Sequence, residues 1–242
     1  MPRMLLTVRY IGTDYCGWQV QKNGVAVQEK VQDALEKVLG NRIGLTGCSR
    51  TDSGVHALAF CAHLDADFKP ELLPKALNFF LPMDITVTNC KAVAPDFHAR
   101  YDAKGKTYRY KLLASQTRDP FFENRAWRWG HKLDFEFLNR CCTHFIGKYD
   151  FAAFCSAGSK VENTVRTVSE CYAEREGDIV SIVITADGFL YNMVRIIVGT
   201  LMDIQSGKIN EEDIIEIIKS KKRENAGVTA PARGLYLEKV HY

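Results

Sequence analysis

Residues 4–10 alternate, with Leu6, Val8 and Tyr10 on one face, a period of two that predicts a strand. Val27, Val31, Ala34, Leu35 and Val38 then recur at helical spacing, and Gly40 supplies a stop. Leu58, Phe60, Ala62 and Leu64 alternate again. Pro70 opens a short helix carrying Leu72, Leu73, Ala76 and Leu77, and Ile85 and Val87 begin another strand. The first half therefore reads β-α-β-α-β.

In the second half, residues 107–113 place Tyr108, Tyr110 and Leu112 on one face of a strand and Arg109 and Lys111 on the other. Leu138, Cys141, Cys142, Phe145 and Ile146 mark a helix stopped by Gly147. Residues 168–174 and 179–185 predict a hairpin around Glu176-Gly177-Asp178. Met193, Ile196, Ile197, Thr200, Leu201 and Ile204 give a second helix. A third starts near Asn210, with Glu211, Glu212 and Asp213 in its first turn, and residues 234–242 close as a strand. Strands interleaved with helices, and a hairpin among them, predict an α+β fold with a mixed or mainly antiparallel sheet. No Ser/Gly/Pro-rich linker intervenes, so two similar halves are expected to share a sheet or cleft: residues 1–103 and residues 104–242.

Composition excludes several classes. With 46% apolar, 25% charged and 11% aromatic residues in 242, the chain is neither disordered nor fibrous. The longest apolar run, residues 182–195, is broken by Asp187, Gly188 and Asn192, short of the roughly 20 residues a membrane span needs. The N-terminus lacks the apolar core and cleavage site of a secretory signal. These features predict a soluble cytoplasmic protein. Eight cysteines sit within apolar patterns without a Cys-x-x-Cys, and Cys141 and Cys142 lack further ligands at short spacing. Reduced structural thiols, and no metal, are the expectation.

Net charge is only +3, but it is unevenly spread: residues 1–99 hold ten basic and ten acidic side chains, residues 100–132 nine basic and three acidic. A basic segment on a near-neutral chain points to a directed polyanion-binding face. It interleaves Lys104, Lys106, Arg109, Lys111, Arg118, Arg125 and Arg128 with Tyr101, Tyr108, Tyr110, Trp127 and Trp129, the mixture that contacts RNA phosphates and bases.

The segment Gly47-Cys48-Ser49-Arg50-Thr51-Asp52-Ser53-Gly54-Val55-His56-Ala57 feeds directly into a strand. Composition alone makes it a turn with a packed histidine. Three chemistries compete with that reading. Half of an aspartic protease site would need a second Asp-Ser-Gly, and Arg50 would oppose a shared proton. Metal ligation by Asp52 and His56 supplies only two ligands. An ionised Asp52 nucleophile held near arginines fits best.

Six motifs, in order over most of the chain, then carry a resemblance. They are Gly17-Trp18-Gln19-x-Gln21 followed by Val27-Gln28; Arg50-Thr51-Asp52-Ser53-Gly54-Val55-His56-Ala57; Phe97-His98-Ala99-Arg100; Tyr108-Arg109-Tyr110; Gly188-Phe189-Leu190-Tyr191-Asn192-Met193-Val194-Arg195; and Ala230-Pro231-Ala232-Arg233-Gly234-Leu235. In these the chain resembles the tRNA pseudouridine synthase A family. The resemblance implies two α/β halves sharing a mainly antiparallel sheet, helices on one side, and a basic active-site cleft. It implies isomerisation of uridine to pseudouridine in the anticodon stem-loop of tRNA, at nucleotides 38 to 40, by a homodimer without metal or organic cofactor.

By the same resemblance Asp52 matches the nucleophilic aspartate, Arg195 the arginine that keeps it ionised, and Tyr108 the tyrosine that stacks on the target base or takes its C5 proton. Arg50 matches the arginine that helps displace the target nucleotide. Arg100, Arg109 and Lys111 are expected to contact RNA. From the pattern alone, Arg195 is a snorkelling arginine beside an apolar stripe, and Tyr108 belongs to a buried strand face. Ile11, where an acidic residue is common, and Ala232-Arg233, where prolines are, depart from the family pattern without touching Asp52.

Overall fold

Met4, Leu6 and Val8 have no exposed surface, and the strand that carries them, β1 (Arg3–Tyr10), has a strand on each side. The computed structural model describes residues 1–159 and 161–242 and falls into two units, Met1–Lys104 with Tyr236–Tyr242, and Gly105–Leu235. In the first, β1 is followed by α1 (Val27–Leu39), the two-residue β2 (Thr46–Gly47), β3 (His56–Asp65), α2 (Leu73–Phe80) and β4 (Ile85–Ala92). Strands β3 and β4 flank β1 antiparallel, with Leu6 opposite Ala62 on one side and Cys90 on the other.

The apolar spacing of α1 buries Val27, Val31, Ala34 and Leu35, and Gly40 ends it in the left-handed region at φ +78°, where a side chain would be strained. Helix α2 locks β4 through one residue. The Asn78 amide donates to Val87 O at 2.9 Å, and its carbonyl accepts from Val87 N at 2.8 Å. That satisfies one residue of the strand's outer edge, which among the described residues has no neighbouring strand.

In the second unit β5 (Gly105–Leu113) is joined along one end by the two-residue β6 (Trp127–Arg128), parallel to it. After α3 (Phe135–Thr143) come β7 (Gly147–Asp150) and the hairpin β8 (Val165–Glu176) and β9 (Ile179–Ala186), giving the order β5-β9-β8-β7, all antiparallel. Helix α4 (Met193–Gln205) is buried on nearly every side from Met193 to Ile204, as a helix apolar all round must be. Helix α5 (Asp213–Ser220) buries Ile214, Ile217 and Ile218.

The last strand, β10 (Leu235–His241), pairs parallel to β3, with Tyr236 opposite His56 and Leu237 opposite Ala57. Its residues from Tyr236 onward belong to the first unit, whereas the sequence order groups them with the second half. Strand β2 occupies the same side of β3 further along, at Ala62 and His63.

Helices and mostly antiparallel strands are the fold class that the periodicity predicts. One helix end differs: α3 stops at Thr143, and His144, Phe145 and Ile146 form tight turns bonded three residues back, which leaves Ile146 exposed. Gly147, at φ +135°, starts β7 rather than ending the helix. None of the eight cysteines is joined in a disulfide, and six of them are buried. Among the described residues no helix is long and apolar enough to cross a membrane.

Candidate active site

The loop between β2 and β3 carries Asp52, and the segment after β1 fixes its course. Trp18 N donates to Thr51 O at 3.2 Å, and the Thr51 hydroxyl lies 2.7 Å from the Tyr10 hydroxyl. Gly54 N and Ser53 Oγ both donate to Tyr15 O, at 3.4 and 3.1 Å. Val55 N donates to Asp52 O at 3.1 Å, closing a turn that Gly54 enters at φ +77°. The close approach is possible because residue 17 is glycine: at its φ of +106° a Cβ would lie 2.3 Å from Thr51 O. Thr51 is buried, Asp52 half-buried and Arg50 exposed, so the backbone on both sides of Asp52 is held while the residue itself is only partly covered.

His56 is a packing residue. Its ring is buried against Tyr236, centroids 4.6 Å apart, and its Nδ1 accepts from Gly12 N at 2.9 Å. That bond uses the lone pair a metal would need. Among the described residues no group of three or more His, Cys, Asp or Glu side chains is placed to hold a metal ion.

In the second unit, Tyr108 lies on the buried face of β5 with Tyr110 and Leu112, its ring edge-on to Phe189 at 4.9 Å. Tyr110 donates to Pro231 O at 2.7 Å, and burial pushes its hydroxyl pKa well above the usual range.

Arg195, in the first turn of α4, is tethered rather than snorkelling. Its Nε donates to Ala230 O at 2.7 Å and its Nη1 to Asn192 Oδ1 at 2.7 Å. Asn192 sits at φ +62°, and its amide donates to Ser156 Oγ at 2.9 Å. Ala230 N returns a bond to Arg195 O at 3.0 Å. A guanidinium fixed from two directions loses little further freedom when it binds an anion. The pattern gave no sign of Asn192 as the residue that aims it.

On the opposite face of β5, Arg109 forms an ion pair with Glu174, and Lys111 stands half-buried across from Ser181. Arg109 thus already has a carboxylate partner within its own sheet.

Arg50 and Arg100 meet in the first unit, where both line an open groove of about 240 Å³ with Trp18, Gln19, His98 and Tyr101. Asp52 does not line it. The floor is rigid: His98 Nδ1 accepts from the backbone N–H groups of Arg100 and Tyr101 at 3.1 and 3.3 Å, and Asp102 accepts from His98 N at 2.8 Å. Ala99 N donates to His63 Nδ1 at 3.1 Å, and Tyr242 donates to Ala99 O at 2.8 Å. Burial, reinforced by the nearby Arg3 charge, lowers the His63 pKa and favours the neutral ring that accepts this bond.

The family model described as tRNA pseudouridine synthase matches residues 6–102 and 141–242. The chain is 47% identical to the tRNA pseudouridine synthase A of Acetivibrio thermocellus and 47% to that of Thermoanaerobacter sp. (strain X514), each over 244 residues covering all of both chains. It is 44% identical to the protein of that name from Clostridium acetobutylicum, again over the full length of both.

Proposed function

The chain belongs to the tRNA pseudouridine synthase family, and from that premise we propose that it isomerises uridine to pseudouridine in the anticodon stem-loop of tRNA, with Asp52 as its nucleophile. The reaction is an isomerisation. The bond from uracil N1 to ribose C1′ breaks, a bond from C5 to C1′ forms, C5 loses a proton and N1 gains one. Atoms and electrons balance without an oxidant, reductant or co-reactant.

A carboxylate serves this chemistry by attacking C1′, by attacking uracil C6, or by assisting loss of a proton while the base is detached. Each route needs the ionised form and an approach to an extruded nucleotide. In this reading Arg195 keeps Asp52 ionised, Tyr108 stacks on the uracil or takes its C5 proton, and Arg50 stabilises the opened RNA. The target lies at nucleotides 38 to 40, and two copies of the chain share one tRNA in the cytoplasm. Arg100 and Lys111 contribute phosphate contacts, with Arg109 divided between RNA and Glu174.

The observation that carries the reading is the Asp52 loop, where Trp18, Tyr10 and Tyr15 bond the flanking backbone and hydroxyl groups while Asp52 itself stays half-exposed. A nucleophile on a loop pinned by its own unit pays its positioning cost on folding rather than at each turnover. The test uses unmodified tRNA tritiated at uracil C5. Wild-type protein is expected to release tritium and Asp52→Asn to release none, because an amide neither attacks nor accepts a proton comparably. Absence of release by the wild type from every tRNA would overturn the assignment.

A further inference from the structure

The groove lined by Arg50 and Arg100 has a chemistry separate from the nucleophile's. Tyr101 is 74% exposed, an unusual state for an aromatic ring on a segment so firmly bonded. The ring leans on His98, centroids 4.2 Å apart and planes 31° from parallel, and the Arg100 guanidinium lies 5.7 Å from its centroid. The ring is thus approached by an imidazole and by a cation over it. Trp18 and the strand edge at Thr46 and Gly47 form the inner wall, and Gly47 is close-packed, since a Cβ there would lie 2.5 Å from Trp18 Nε1. Among the described residues no carboxylate lines the groove, and exposed Gln19 brings an amide donor and acceptor to it. An aromatic platform, two guanidinium groups and the Gln19 amide fit a nucleotide: a flat base on the ring, a phosphate on the arginines, and a base edge at the amide.

The groove begins close along the chain to the proposed chemistry: Arg50 lines it and Asp52 follows two residues later, a Cα span of at most about 7 Å.

We propose that this groove is a second nucleotide subsite, which takes the nucleotide adjoining the target uridine, its base stacked on Tyr101 and its phosphate between Arg50 and Arg100. The proposal rests on the reading of the chain as a uridine isomerase acting on tRNA. Holding a neighbouring base out of the stack lowers the cost of extruding the target, which shares that stack.

The experiment measures binding of tRNA transcripts carrying an abasic nucleotide on one side or the other of the target uridine. Wild type, Tyr101→Ala and Tyr101→Phe are compared. On the intact transcript Tyr101→Ala is expected to bind about 5- to 150-fold more weakly, as loss of one base stack implies, and Tyr101→Phe to bind as wild type. On one of the two abasic transcripts the wild type should weaken by a similar factor and Tyr101→Ala should lose nothing further. A 4-thiouridine at that same position should crosslink to residues 98–101. Unchanged binding by Tyr101→Ala, or an equal loss on intact and both abasic transcripts, would overturn the subsite. Circular dichroism checks that the variants fold, and tritium release by the wild type separates failure of the subsite from failure of the assigned reaction.

Discussion

Gly17 offers the sharpest test of how the Asp52 loop is positioned. Replacing it with alanine adds one Cβ at φ +106°, and that atom would lie 2.3 Å from Thr51 O and 3.2 Å from the Asp52 carbonyl carbon. Restoring ordinary van der Waals contact requires the Thr51 backbone to withdraw by about 1 Å. Two costs follow. Placing a non-glycine residue in the left-handed region costs about 1–2 kcal/mol, and withdrawal of Thr51 O lengthens its 3.2 Å bond from Trp18 N, worth about 1 kcal/mol. Together these predict a destabilisation of about 2–3 kcal/mol, or a fall in Tm of roughly 4–12 °C for a chain of this size. Catalysis should suffer more, because a displacement of about 1 Å at the reacting groups costs on the order of a hundredfold.

The assay pairs a thermal melt with kcat/KM from tritium release. Gly40→Ala serves as control: it also has positive φ, +78°, but nothing lies within 4 Å of its would-be Cβ. It should lose about 1 kcal/mol of stability and no activity. A Gly17→Ala protein with wild-type kcat/KM would refute the idea that this contact sets the place of Asp52.

Two further outcomes are expected. Asn192→Gly keeps the left-handed backbone unstrained while removing the acceptor of the 2.7 Å bond from Arg195 Nη1, so kcat/KM should fall about tenfold or more with the fold intact; undiminished activity would show that Asn192 does not position Arg195. His63 has its folded pKa lowered below the ordinary histidine value of 6.5, chiefly by burial, so the neutral ring's contribution to stability is complete above that pH and drains away as pH falls through it. The wild-type Tm should therefore drop more steeply between pH 7 and 5 than that of His63→Gln, and parallel curves would contradict the assignment.

Long periodic segments were readable from the chain alone: β1, α1, β3, the β8–β9 hairpin and α4 each repeat an apolar residue often enough to declare a period. Strands β2, β6 and β7 span two to four residues, too few for any period, and exist because longer neighbours offer an edge. The helical pattern around Phe145 misled at its end, since a buried phenylalanine in a tight turn looks locally like one more helical turn. Asp52 stands out as a candidate through its motif, but the tether of Arg195 was not legible, because Ala230 lies 35 residues away and nothing local marks its carbonyl as an acceptor. The Tyr101 platform likewise depends on His63, 36 residues before the alanine it holds.

Because Tyr236–Tyr242 completes the unit that begins at Met1, that unit cannot finish assembling as its own residues leave the ribosome. The 131 residues of Gly105–Leu235 must be synthesised first, a delay of roughly 7–26 s at ordinary translation rates. Throughout that interval the backbone of β3 at His56 and Ala57, only four residues past Asp52, lacks the strand that later seals it. The nascent protein therefore carries an open seam beside the loop that holds Asp52 until its last residues are made.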